Sequence, residues 1–498
     1  MPPSHVERGA EAGIDQYFSD VFRVKPQIIE QHGAFNISLL SDLPLFIDPF
    51  LLFNSRKPKY RKLHDQIIAY LRFLRDKATS GQLAPGLMGA WYRFPEAKQI
   101  WLGFSKAGNR GCGLGKDFGA ALHANLNRIF SDFGSETVTR SSHLEKLCLI
   151  EEGVGRDKIS DFTTNLVREF LVEYTQSFAQ LHIAPELRKD VAVNKVRFNY
   201  STETWEGGRY DLPWYLGDYV LLTPKDILTR DDTWINKTDL VREFERIPES
   251  IPNEQLRAQV NNYFLKALPK QPTRKDEARA AISTVLQFPE VIEFYIRYKE
   301  ENGERATSVS AEKVAYSQRL YVEQFKRLGE MLAQTTGFYG LTGNTYEESH
   351  QRIAFLKDVI ENKGGHRIFY VGGRPIEREE DLHILYRLTW FATVSDVSRE
   401  ANDGRGPVDF KVSRGSRDKT LVEFKLAKNS QLKRNLERQV PIYERASDAT
   451  KSIKVILYFS PYELQRVNDI LGQLKIVGHR DIVLIDARRD NKPPGSKA

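Results

Sequence analysis

The stretch that most restricts the fold is Lys454-Val455-Ile456-Leu457-Tyr458-Phe459, near the end of a 498-residue chain. Its five apolar residues in a row, most of them β-branched or aromatic, lack the alternation of a half-buried strand and are too few for a helix. The segment therefore reads as a strand covered on both faces. Such a strand needs helices above and below it, and the flanking sequence supplies them. Residues 379–391, 430–446 and 462–474 carry helical spacing, while 397–400, 407–412, 420–426 and 481–486 read as strands. The predicted order is α-β-β-β-α-β followed by α-β. A helix between two buried strands implies a right-handed crossover and a mixed sheet with helices on its faces.

The remainder of the chain divides in two. Residues 1–270 mix short apolar runs, such as Leu43-Pro44-Leu45-Phe46-Ile47 and Tyr219-Val220-Leu221-Leu222, with helical stretches at 64–77 and 159–179. In the second stretch Ile159, Phe162, Leu166, Phe170 and Tyr174 fall on one helix face. This part reads as a mixed α/β domain. Residues 271–365 are helical in pattern and end at Gly364-Gly365, which predicts a helical connector. The last unit is 366–498.

Composition excludes several classes. Hydrophobic residues make up 41% and charged residues 28%, the balance of a globular rather than a disordered chain. No apolar run approaches the roughly 20 residues of a membrane span, so no membrane partner is expected. The amino terminus shows no basic segment followed by an apolar one, so no secretion signal is expected either. Two cysteines, Cys112 and Cys148, cannot form a disulfide framework or a zinc site alone and fit a reducing, cytoplasmic setting. A net charge of +7 permits a polyanionic partner without demanding one.

Three charged positions break apolar patterns in the last unit. Asp409 lies in Gly406-Pro407-Val408-Asp409-Phe410, and Glu423 and Lys425 lie in Leu421-Val422-Glu423-Phe424-Lys425-Leu426. Residues two apart on a strand share a face, so Glu423 and Lys425 point one way and Val422, Phe424 and Leu426 point to the core. Two carboxylates beside an ammonium suit a hard divalent cation, which takes oxygen ligands and keeps water. The bland alternative is a solvated Glu–Lys pair worth under about 1 kcal/mol.

Asp409, thirteen intervening residues, then Glu423-x-Lys425 on adjacent strands between helices resembles the PD-(D/E)xK nuclease superfamily. Gln439-Val440-Pro441-Ile442-Tyr443 on the following helix is similar to the Gln-x-x-x-Tyr motif of the RecB-type branch. The proline, Pro407, stands one position further from the aspartate than the motif name has it. The resemblance covers about residues 370–490. It implies a restriction-endonuclease-like αβββαβ core and a nuclease using Mg²⁺, with Mn²⁺ as a substitute. Asp409 and Glu423 would ligate the metal, and Lys425 would position the attacking water. Gln439 would bond near the site, and Tyr443 would pack beside it against nucleic acid. A helix acid often joins such sites. Glu379 is preferred because it shares the face of Leu382, Tyr386 and Thr389, whereas Glu380 falls with His383 and Arg387 on a face expected to be solvated. Arg405, Arg414, Arg417, Lys428, Lys433, Arg434 and Arg438 surround the motif and would neutralise phosphates.

The expected activity is hydrolysis of DNA phosphodiesters, with restriction or phage defence as a family association. One metal cluster implies one cut per site, so double-strand cleavage would call for a dimer or a partner, docked through the amino-terminal domain. Two rivals stand beside it: a silent nuclease fold that binds nucleic acid or protein, and a nuclease acting on RNA. Elsewhere, the glycine-rich Gly108–Lys116 loop departs from a P-loop at Arg110 and Asp117. Glu151, Glu152 and Asp157 suggest a second metal site or a solvated turn. Trp91-Tyr92-Arg93-Phe94 through Lys98 and Trp101 reads as base-stacking or, more simply, as core.

Overall fold

The computed structural model describes residues 16–81, 84–103, 114–128, 133–150, 155–341, 343–390, 396–398, 410–414, 418–437 and 451–492. In the amino-terminal part, α1 (Pro58–Thr79) begins with proline in its first turn and buries Tyr60, Leu63, Ile67, Leu71 and Leu74 at helical spacing. The single helix expected over 159–179 is two, α2 (Arg156–Leu166) and α3 (Arg168–His182), separated at Val167. The hydroxyls of Thr163 and Thr164 donate back to the carbonyls of Ile159 and Ser160, a pattern that bends helices. A long antiparallel hairpin, β1 (Arg188–Asn199) and β2 (Thr204–Tyr215), packs on α3 and is bulged between Val193 and Arg197. Trp91, Tyr92 and Phe94 are buried in the core, which removes their rings from base stacking, while Trp101 is half-buried against the same core.

Helices α4 (Glu254–Ala267), α5 (Arg274–Gln287), α6 (Glu290–Glu301), α7 (Gly303–Ser317) and α8 (Phe325–Thr335) follow. They are packed elements rather than a spacer. One continuous apolar core runs from Tyr17 through Ile296 and Leu328 to one face of the carboxy-terminal sheet. The helix α9 (Thr345–Asn362), which the sequence reading placed in the connector, lies against that sheet. Tyr346 donates its hydroxyl to Asp481 at 2.6 Å, and Glu361 accepts the Asp486 amide at 2.8 Å. Asn344 caps this helix by accepting the Tyr346 and Glu347 amides at 3.1 and 2.9 Å. Asn344→Ala is expected to lower unfolding stability by about 1 kcal/mol in urea titrations, the usual worth of such a cap.

The carboxy-terminal order is the one read from sequence. After α10 (Glu379–Thr389) come β3 (Asp396–Ser398), β4 (Phe410–Arg414) and β5 (Asp418–Leu426). Then follow α11 (Leu432–Glu437), β6 (Lys451–Tyr458), α12 (Pro461–Gln473) and β7 (Ile482–Asp486). The sheet is mixed: β3, β4 and β5 are antiparallel neighbours, while β5, β6 and β7 run parallel. Val422, Phe424, Phe410, Val412 and Val455 pack toward α10, where the Tyr386 ring lies 4.0 Å from Phe410 and 4.9 Å from Phe424. Ile456 and Tyr458 pack on the other face with Leu432, Leu436, Val467 and Ile470. A buried ion pair ties α10 to the amino-terminal part: Arg230 donates to Asp381 at 2.5 Å, and Tyr321 donates to the same oxygen at 2.7 Å.

Candidate active site

Strand β5 sets the site. Its amino end is anchored where Asp418 accepts the Thr345 amide at 3.0 Å and its hydroxyl at 2.6 Å. From there the pleat sends Phe424 into the aromatic core and Glu423 and Lys425 to the opposite face, as the sequence spacing predicts. Both are largely withdrawn from solvent, Glu423 at 5% exposure and Lys425 at 9%. Buried charges are tolerated only when paired, and each of these has an opposite charge beside it. Glu423 is paired with Lys454, its in-register neighbour on β6, which is 1% exposed. Lys425 Nζ lies 3.5 Å from Glu379 Oε2.

Glu379 opens α10, where the helix dipole favours a carboxylate. Its Oε1 accepts the Leu426 amide at 3.2 Å and Asn429 Nδ2 at 2.6 Å. The turn after β5 is pinned by Arg466, which donates to the Ala427 and Asn429 carbonyls. The structure thus brings Glu379, Glu423 and Lys425 together, with Glu379 the helix acid that reaches the strand. Glu380 is half-buried. The solvated face expected for it with His383 and Arg387 does not exist. His383 is buried with its ring 6.0 Å from Phe410 of β4, and Arg387 Nη1 donates to Ser41 Oγ of the amino-terminal part at 2.6 Å.

Asp409, Arg405, Gln439 and Tyr443 lie outside the described residues, as do Arg417 and Arg438. Asp409 immediately precedes Phe410, which pairs with Val422, the residue before Glu423. Lys428, Lys433 and Arg434 are exposed along the segment after β5, and Lys428 Nζ also reaches the Ile376 carbonyl at 3.4 Å. Most of the glycine-rich loop and Glu151 and Glu152 lie outside the described residues too. Among the described residues, no three His, Cys, Asp or Glu side chains gather closely enough to hold a metal ion. Likewise, no described helix is long and apolar enough to cross a membrane.

The sequence reading missed two members of this cluster, Lys454 and Asn429. Lys454 carries its own signal, a charge that immediately precedes the apolar run Val455–Phe459. Asn429 carries none, being one polar residue in a turn.

Comparison with known families gives two matches. Residues 23–236 match a family model described as a domain of unknown function, DUF8370. Residues 345–461 match a second, DUF8371, which begins at α9 and takes in the helix and strands of the site. No curated protein and no solved structure matches the chain.

Proposed function

We propose that the carboxy-terminal unit is a Mg²⁺-dependent nuclease acting on DNA. The observation that carries this reading is the joint placement of Glu423 and Lys425 on one face of β5, with Glu379 of α10 reaching the same lysine. It is supported by the element order around them, a helix, three antiparallel strands, a helix and a parallel strand, which is the arrangement an αβββαβ nuclease core requires.

The donor chemistry fits a hard divalent ion. Glu423 already holds a cation, the Lys454 ammonium, against its oxygens, and Asp409 is the second carboxylate the reading assigns. Asp409 and Glu423 would hold the ion, which when bound supplies Lewis-acid polarisation of the scissile phosphate. Lys425 contributes a fixed positive charge inside a poorly solvated face, where it orients the attacking water and offsets charge developing on the phosphate oxygens. Glu379 keeps the Lys425 side chain directed, and Gln439 and Tyr443 are the residues the resemblance would add beside it. Exposed Lys428, Lys433 and Arg434 give the backbone a salt-sensitive, sequence-independent hold.

A second reading is favoured by one observation. Glu423 and Lys425 both stand in ion pairs, as they would in a silent nuclease fold that only binds nucleic acid or protein. Incubation of the purified chain with supercoiled plasmid separates the two. The nuclease reading predicts nicked circles with Mg²⁺ or Mn²⁺, none with EDTA, and a steep loss between about 50 and 200 mM salt. Binding without cleavage in a gel-shift assay would favour the silent fold, and cutting of RNA but not DNA oligonucleotides would move the substrate to RNA.

A further inference from the structure

Lys454 belongs to none of the motifs, yet it is the least exposed charge of the site. Its main chain has little freedom. The strand pairs on both edges, opposite Glu423 on one side and Ile482 on the other, and its amide donates to the Asp481 carbonyl at 2.7 Å. The ammonium is therefore delivered to the Glu423 carboxylate by strand register. Removing an ammonium from water costs several kcal/mol unless a counter-charge meets it, so without another cation the pair is the stable arrangement.

We propose that Lys454 is a resident counter-ion, holding on Glu423 the place that a divalent metal takes, so that metal uptake and the Glu423–Lys454 pair exclude each other. The proposal rests on the reading of Glu423 as a metal ligand. An ammonium and a divalent cation compete for the same carboxylate lone pairs. At separations near 4 Å two cations repel strongly in a medium less polar than water. On this face Lys454 is flanked along β6 by Ile456 on one side and by the buried Ser452 on the other, and across on β7 by Ile482. A displaced ammonium therefore moves toward the Ser452 hydroxyl or the solvent, away from Ile456 and Ile482. The function this gives the residue is a threshold: the site stays electrically balanced when metal is scarce and opens only when metal binding outweighs the pair.

The test is calorimetric titration of the full chain with Mn²⁺, without nucleic acid. Lys454→Met is expected to bind Mn²⁺ at least tenfold more tightly than the native protein, and the double variant Glu423→Gln/Lys454→Met is expected to lose that gain. Circular dichroism checks folding. Should Lys454→Met not fold, acetylation of Lys454 in the native chain decides, read by mass spectrometry with and without Mg²⁺. Release of the ammonium raises labelling several-fold.

Equal or weaker Mn²⁺ binding by a folded Lys454→Met protein would overturn the proposal. So would labelling that Mg²⁺ leaves unchanged, or an absence of binding in both proteins. Plasmid cleavage by the native chain reports separately on the nuclease reading. Cutting alongside unchanged affinity in the variant sinks the counter-ion alone. No cutting alongside tightened affinity sinks the nuclease alone.

Discussion

Lys425→Ala is expected to reduce Mg²⁺-dependent plasmid nicking by about 10²–10³-fold, the usual cost of removing one preorganised group that stabilises transition-state charge. The loss should fall on kcat, with DNA binding in a gel-shift assay changed little, because Lys425 is nearly buried and the exposed Lys428, Lys433 and Arg434 supply the phosphate contacts. Folding should survive. The Lys425–Glu379 contact is 3.5 Å long, and Glu379 keeps its bonds to the Leu426 amide and Asn429. Asp409→Ala should abolish cleavage to a similar degree. Nicking that persists in either variant would remove the site from this strand.

The second large effect is on stability. Arg230→Met is expected to destabilise the protein by about 3–5 kcal/mol, because it leaves the fully buried Asp381 carboxylate without its cation. The guanidinium also stacks on Tyr316, 4.4 Å from the ring centre, so packing is lost with the charge. Burial already pushes the Asp381 carboxyl above its usual range, and Arg230 opposes that push. A carboxyl with a raised folded-state pKa favours the folded state at acid pH. That advantage fades as pH rises from the unfolded value through the folded one. Without Arg230 the folded value rises further, so the deficit of the variant should be largest near neutrality and shrink on acidification. Urea titrations of both proteins at several pH values check this. A pH-independent deficit would mean that packing, and not charge, accounts for it.

Both sites show what a sequence can carry. The faces of β5 were legible because alternation is local: Val422, Phe424 and Leu426 must leave Glu423 and Lys425 on the other side, and the register agrees. Glu379 was legible for a similar reason, since its helix face follows from Leu382 and Tyr386. What joined Glu423 to Lys454 was not local. It is the register of two parallel strands whose paired residues are set by the crossover between them, and no spacing rule encodes it. The Arg230–Asp381 pair, which fastens α10 to the amino-terminal part, likewise bridges distant segments. The β1–β2 hairpin escaped because its strands mix buried and exposed residues without regular alternation. The break at Val167 escaped because helical spacing continues through it, and only the back-bonding of Thr163 and Thr164 marks it.

The nuclease reading stands on one pocket gathering Asp409, Glu423 and Lys425 around a divalent ion. Anomalous diffraction from crystals of the full chain soaked in Mn²⁺ locates that ion. The expected result is a manganese peak held by the Asp409 and Glu423 carboxylates, with Lys425 on the same side of the sheet. A peak elsewhere, or an Asp409 side chain turned to the opposite side of the sheet from Glu423, would contradict it.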